Sequence, residues 1–120
     1  KVYGQTDPTF GYAASGQVVN AGLGINDSGL TLTGALGRTA GETVAGGPYA
    51  YTLGSLSAGA NYTLVMAANP AAFAITPATL TIAPTAGQSK TYGQADPTFA
   101  YTASGQVVNA GLGINDSGLT

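Results

Sequence analysis

The segment Lys1–Thr31 returns at Lys90–Thr120 with only four substitutions: Val2/Thr91, Thr6/Ala95, Gly11/Ala100 and Ala13/Thr102. Twenty-seven of 31 positions are therefore identical at an offset of 89 residues, which chance does not produce. A period of 89 is too long for helical or leucine-rich solenoids, whose units run about 20–50 residues. It suits a complete small β domain, since a two-sheet sandwich takes roughly 100 residues. The second copy stops at Thr120, the counterpart of Thr31, where Leu32-Thr33 follow in the first copy. The expectation is a parent protein that continues at both ends. Near-identity of neighbours is typical of spacer arrays and uncommon among catalytic domains.

Between the matching ends the chain alternates apolar and polar residues in short runs, the two-residue period of half-buried strands. Phe10 and Tyr12 fall on one face, as do Phe99 and Tyr101 in the second copy. Leu30-Thr31-Leu32-Thr33 alternates, Tyr49, Tyr51 and Leu53 share a face, and so do Tyr62, Leu64 and Met66. Ala72-Phe73-Ala74-Ile75 and Leu80-Thr81-Ile82 complete the set, while Gln17–Leu23 fits a loop or a short strand equally. Turn formers separate the runs: Asp7-Pro8, Asn26-Asp27-Ser28-Gly29, Ala45-Gly46-Gly47-Pro48, Ser57–Asn61 and Asn69-Pro70. About seven strands per period predict an all-β, antiparallel Ig-like β-sandwich. Pro77 marks the expected joint, so residues 1–77 make most of one repeat and 78–120 the first part of the next. On that division the first repeat lacks its opening strand, and its exposed sheet edge would invite strand addition from a neighbouring copy.

Composition removes several function classes. Apolar residues are 44% and charged residues 7% of the chain, with 19 glycines and no long apolar run, so neither a charged disordered tail nor an apolar membrane helix is expected. No basic and apolar leader opens the segment, so export would be directed from elsewhere. Three Lys/Arg residues cannot build a phosphate-neutralising stripe, so nucleic acid is not an expected partner.

Catalytic chemistry has little to work with. The chain has neither His nor Cys, the commonest general bases, metal ligands and nucleophiles, and no cofactor, metal or catalytic residue is assigned. Asp7 before Pro8 and Asp27 inside Asn-Asp-Ser-Gly read as residues capping their own backbone. Lys1 and Lys90 lack a Ser-x-x-Lys setting, and Gly22-x-Gly24 lacks the strand-turn-helix setting of a nucleotide loop. Asn26–Gly29 and Asn115–Gly118 offer one carboxylate each, poor provision for calcium. Arg38 and Glu42 read as a structural ion pair, with anion binding by Arg38 the sharper alternative. Tyr12, Tyr49, Tyr51 and Tyr62 lie in phase with apolar neighbours, which favours packing over a sugar-binding platform. Asn61-Tyr62-Thr63 matches a glycosylation sequon that a bacterial origin would make incidental.

Lys90-Thr91-Tyr92-Gly93-Gln94-Ala95-Asp96-Pro97-Thr98-Phe99 resembles the opening signature of the MBG/YDG-type bacterial Ig-like repeats. So do Leu36-Gly37-Arg38 followed by Gly41-Glu42, the stretch Leu56–Leu64, and the closing Phe73-x-Ile75-x-Pro77-Ala78-x-Leu80-x-Ile82. The chain departs from that pattern at Gln5 and Gln94, where an acidic residue is common, and in the longer Ala45–Pro48 link, which weakens any transfer of metal binding to those loops. The resemblance implies a tandem module of large secreted adhesins, similar to filamentous haemagglutinin, or of biofilm matrix proteins. The expected role is structural: a spacer in a cell-surface or extracellular fibre, with neighbouring copies of the repeat as partners. A host or matrix glycan or protein is the alternative ligand.

Overall fold

A computed structural model describes residues 1–119. The chain is all-β, with antiparallel ladders and no α-helix among the described residues. The strands are β1 (Val19–Asn20), β2 (Ile25–Asn26), β3 (Gly37–Arg38), β4 (Tyr49–Thr52), β5 (Ala72–Phe73), β6 (Thr81–Pro84), β7 (Tyr101–Ser104), β8 (Val108–Asn109) and β9 (Ile114–Asn115). They group as β1-β2, β3-β4-β5, β6-β7 and β8-β9. Two compact units result, one from Asp7–Ile75 and one from Lys1–Thr6 with Thr76–Thr120.

The Gln17–Leu23 stretch, open as loop or strand from sequence, is both. Val19–Asn20 pairs with Ile25–Asn26, and a 3₁₀ turn over Ala21–Leu23 reverses the chain. Asn20 closes the turn at one end, its side-chain oxygen accepting from the Leu23 N–H at 3.2 Å. Gly24 closes the other at φ 69°, a left-handed conformation that glycine adopts without Cβ strain. The second copy builds the same hairpin: Asn109 and Gly113 have φ −142° and 69°, against −143° and 69° at Asn20 and Gly24. Identical sequence here gives the same backbone turn, although Asn109 makes no side-chain cap bond.

In the Asp7–Ile75 unit, β4 lies between β3 and β5, with Tyr51 opposite Arg38 and Tyr49 opposite Phe73. Tyr49, Phe73 and Ile75 are buried. Phe10 packs edge-on against Tyr51 and Phe73, with ring centroids 5.3 and 5.1 Å away. Edge-to-face pairs each add about 0.5–1.5 kcal/mol beyond area burial. Backbone glycine makes room for this core: a Cβ on Gly41 would overlap the Tyr49 ring. The alternation expected for Tyr49–Leu53 and Tyr62–Met66 appears in the burial pattern. Tyr62–Met66 nevertheless forms no ladder.

In the other unit, β6 and β7 pair over four positions, Thr81↔Ser104 to Pro84↔Tyr101. The Gln88 side chain extends this ladder, donating to the Ala100 carbonyl at 2.8 Å and accepting the Ala100 N–H at 2.5 Å. Ile114 is buried, whereas Ile82, Phe99 and Tyr101 are exposed. The first residues of the chain belong here too. Val2 bridges Thr76 in parallel register, with Tyr3 donating its N–H to the Thr76 carbonyl at 2.8 Å.

Candidate functional site

Two side-chain clusters of the Asp7–Ile75 unit gather the polar residues singled out from sequence. The first centres on Arg38, whose side chain is only 6% exposed. Its Nε and Nη2 donate to the two Asp7 carboxylate oxygens at 2.6 and 2.9 Å, a bidentate fork. Nη2 also donates to Glu42 at 2.7 Å, and Nη1 to the carbonyls of Gly41 and Thr39 at 2.7 and 3.1 Å. The guanidinium carbon sits 5.1 Å from the ring centroids of both Tyr49 and Phe73, within cation–π range. Hydrogen bonding to Asp7 raises the Arg38 pKa above its ordinary value against the opposing effect of burial, with Glu42 adding to the rise. The guanidinium stays charged at every workable pH.

These contacts add to one sequence expectation and bear out another. Asp7, expected from sequence to serve its own turn, is the bidentate partner of Arg38, 31 positions away. The Arg38–Glu42 structural ion pair forms as expected, as one arm of a half-buried network. An arginine has five N–H donors, and five hydrogen bonds to its own protein engage them. Anion capture at Arg38 therefore has no donor to use.

The second cluster lies at the β1-β2 hairpin. The Tyr62 hydroxyl donates to Asp27 Oδ2 at 2.7 Å and accepts the Val18 N–H at 2.8 Å. Asp27 is not the residue that caps the local turn. Asn26 does so, its Oδ1 accepting from the Ser28 N–H at 3.3 Å and the Ser28 hydroxyl at 2.7 Å. The second copy repeats that turn with Asn115 and Ser117. In both Asn-Asp-Ser-Gly turns the asparagine side-chain oxygen is thus taken by internal donors. An open cleft of about 560 Å³ adjoins the hairpin, lined by Val18, Gly24, Ile25, Asn26, Asp27, Asn61 and Tyr62.

The Val18 N–H lowers the Tyr62 pKa, but the Asp27 carboxylate and partial burial outweigh it, so the pKa lies above its ordinary 10.0. Below that ordinary value the hydroxyl keeps its proton in folded and unfolded chains alike, and its contribution to stability is complete. As pH rises through the raised folded value, that contribution is lost. The stability gap between wild type and Tyr62→Phe is therefore expected to be constant from pH 7 to 9 and to shrink above about 10. Urea unfolding at a series of pH values measures it; a gap that widens at alkaline pH would contradict the Tyr62–Asp27 assignment.

Of the other sequence candidates, Tyr49 is buried, Tyr51 is half-buried, and Tyr12 is 48% exposed. Tyr12 thus leaves the packed set, because no ladder fixes which way its segment faces. Lys90 pairs with Asp96, and Gly22 and Gly24 shape the 3₁₀ turn and its cap. The opening Tyr3-Gly4-Gln5 makes a tight turn, Gln5 donating its N–H to the Val2 carbonyl at 3.1 Å with Gly4 at φ 87°. That signature agrees with the family comparison, in which the model for the MBG domain (YGX type) matches residues 1–73.

The chain belongs to the MBG domain family. The match spans the Arg38 network, the β1-β2 hairpin and the Tyr49–Phe73 core. MBG domains are non-catalytic repeat modules, typical of surface or secreted adhesins. No helix among the described residues is long and apolar enough to cross a membrane. No curated protein and no solved structure matches the chain.

Proposed function

We propose that this MBG chain is a structural spacer module of a bacterial cell-surface or extracellular-matrix fibre, an adhesin stalk built of tandem 89-residue repeats. Each repeat would be one Ig-like β-sandwich, with residues 1–77 contributing to one and 78–120 to the next. The observation that carries this reading is the recurrence of a 31-residue segment with 27 identities, which builds the same hairpin and the same Asx turn both times. Repetition of rigid local structure is what a length-setting polymer requires. Both polar clusters are consistent with that role, since their donors and acceptors serve the fold. Three Lys/Arg residues leave few sites for trypsin-like proteases, which suits an exposed extracellular polymer.

A test is to express arrays of two, four and six repeats and to measure their maximum dimension by small-angle X-ray scattering. A constant increment per repeat supports the spacer reading; growth as a compact globule would reject it. The open cleft beside Tyr62, with an aromatic ring and amide groups at its wall, favours one second reading, a glycan- or protein-binding adhesion module. Saturable binding on a glycan array, abolished in Tyr62→Ala, would favour that alternative.

A further inference from the structure

Asp7 precedes Pro8, and an aspartyl-prolyl bond is the peptide link that acid breaks most readily. The aspartyl carboxyl lies one carbon from the backbone, so its oxygen can attack its own carbonyl carbon and close a five-membered ring. An internal nucleophile of this kind far outperforms a free one. Proline supplies the leaving group, a tertiary-amide nitrogen that takes a proton more readily than an ordinary peptide nitrogen.

The fold withholds that nucleophile. Asp7 Oδ2 accepts from Arg38 Nε at 2.6 Å and Oδ1 accepts from Nη2 at 2.9 Å, so both oxygens are engaged. Arg38 cannot follow a turning carboxylate. Its Nη1 is tied to the Gly41 and Thr39 carbonyls and its Nη2 to Glu42. Its guanidinium carbon is also fixed over the Tyr49 and Phe73 rings. Attack requires a protonated carboxyl that turns toward its own backbone, whereas a bidentate fork selects an ionised one aimed at the guanidinium.

We propose that Asp7–Pro8 is a latent self-cleavage site and that Arg38 is the positioning residue that keeps it closed. Once the fork is lost, the Asp7 carboxyl gives its proton to the Pro8 nitrogen while its other oxygen bonds to the Asp7 carbonyl carbon. The C–N bond breaks and Pro8 leaves as a secondary amine. One water then opens the cyclic anhydride to a C-terminal aspartic acid, so the balance is hydrolysis with no other reactant. The guanidinium stays charged throughout, and acid therefore opens the site through carboxyl groups alone: Asp7 itself and Glu42, the other acid on Arg38. Tyr49, the remaining titratable group of the cluster, directs its hydroxyl to the Thr43 carbonyl at 2.7 Å. The dipeptide recurs at Asp96-Pro97, once per 89-residue period. The site is the same whether the chain serves as a spacer or as a binding module.

Intact-mass spectrometry of the 120-residue chain tests this, in the most acidic buffer that preserves its near-ultraviolet circular dichroism. Cleavage at Asp7–Pro8 yields residues 1–7 and 8–120. These fragments are expected to form at least about tenfold more slowly from the folded chain than in urea at the same pH, about 1.4 kcal/mol of barrier. Cleavage at Asp96–Pro97 is the internal reference. Asp96 is 64% exposed and Lys90 pairs with one of its oxygens, so urea is expected to change that rate far less. Arg38→Lys keeps the charge but cannot hold both oxygens, and is expected to lose most of the protection while still folded. Phe10→Ala weakens the same unit but removes no hydrogen bond of the fork, and is expected to keep the protection while folded. Asp7→Asn lacks the nucleophile and is expected to stay whole at this bond even in urea. A folded wild type that cleaves at Asp7–Pro8 as fast as in urea would overturn the proposal, and so would a bond that stays intact in urea; neither result needs a variant to fold. Equal acceleration in Arg38→Lys and Phe10→Ala would assign the protection to the fold at large and overturn the role of Arg38. Cleavage of Asp7→Asn at the same bond would overturn the role of the aspartate.

Discussion

Replacing Arg38 by lysine is expected to destabilise the Asp7–Ile75 unit by about 2–3 kcal/mol although the charge is kept. Lysine has a single point-like ammonium and three donors. It cannot span both Asp7 oxygens, Glu42 and the Gly41 and Thr39 carbonyls, which Arg38 serves from one planar group. Its smaller head also gives up the face contacts with Tyr49 and Phe73. Arg38→Ala is expected to cost more, about 3–5 kcal/mol, the range for removing one partner of a buried pair. Asp7 and Glu42, 32% and 27% exposed, would then lose the guanidinium that both accept from. Asp7→Asn should recover part of the loss in the Arg38→Ala background, because it removes one of two like charges that the guanidinium had bridged. Urea midpoints of the single and double variants measure all three. An Arg38→Lys variant within about 0.5 kcal/mol of wild type, the range of neutral surface changes, would show that the network does not hold the unit together.

The second large effect sets two sequence-equivalent residues against each other. Phe10→Ala is expected to destabilise by about 3 kcal/mol, from lost burial and a cavity beside Tyr51 and Phe73. Phe99→Ala is expected to stay within about 0.5 kcal/mol, as surface changes do, because Phe99 is 63% exposed. The same substitution in the same local sequence should therefore give very different urea midpoints. Equal losses at both sites would mean that Phe99 is packed in solution as Phe10 is here.

Much of the local structure was legible in the chain itself. The turn at Asn20–Gly24 follows from a glycine placed for a left-handed end, and its backbone recurs at Asn109–Gly113 even without the asparagine cap bond. The face shared by Tyr49, Tyr51 and Leu53 follows from alternation. The roles of Asp7 and Asp27 were not legible. Beside proline or within Asn-Asp-Ser-Gly, an aspartate has a plausible local partner at hand, and nothing local shows that Arg38 and Tyr62 arrive from 31 and 35 positions away. Composition held one clue: a half-apolar β chain with three cations has few ways to satisfy a carboxylate that packing brings inside. Tyr12 failed for the converse reason, since a two-residue period states which residues share a face and not which face is covered.

By itself, then, the sequence determined the repeat, the all-β character, the family signature and each turn whose dihedral angles lie within its own few residues. The tertiary structure alone decided which of two near-identical segments has a core to pack against, Phe10 on Tyr51 and Phe73 while Phe99 faces solvent. It alone joined Arg38 to Asp7 and Tyr62 to Asp27. The physical reason is range: turns and caps are set by interactions across two to four residues, whereas burial and ion pairing depend on chain brought from far away, which no local pattern encodes.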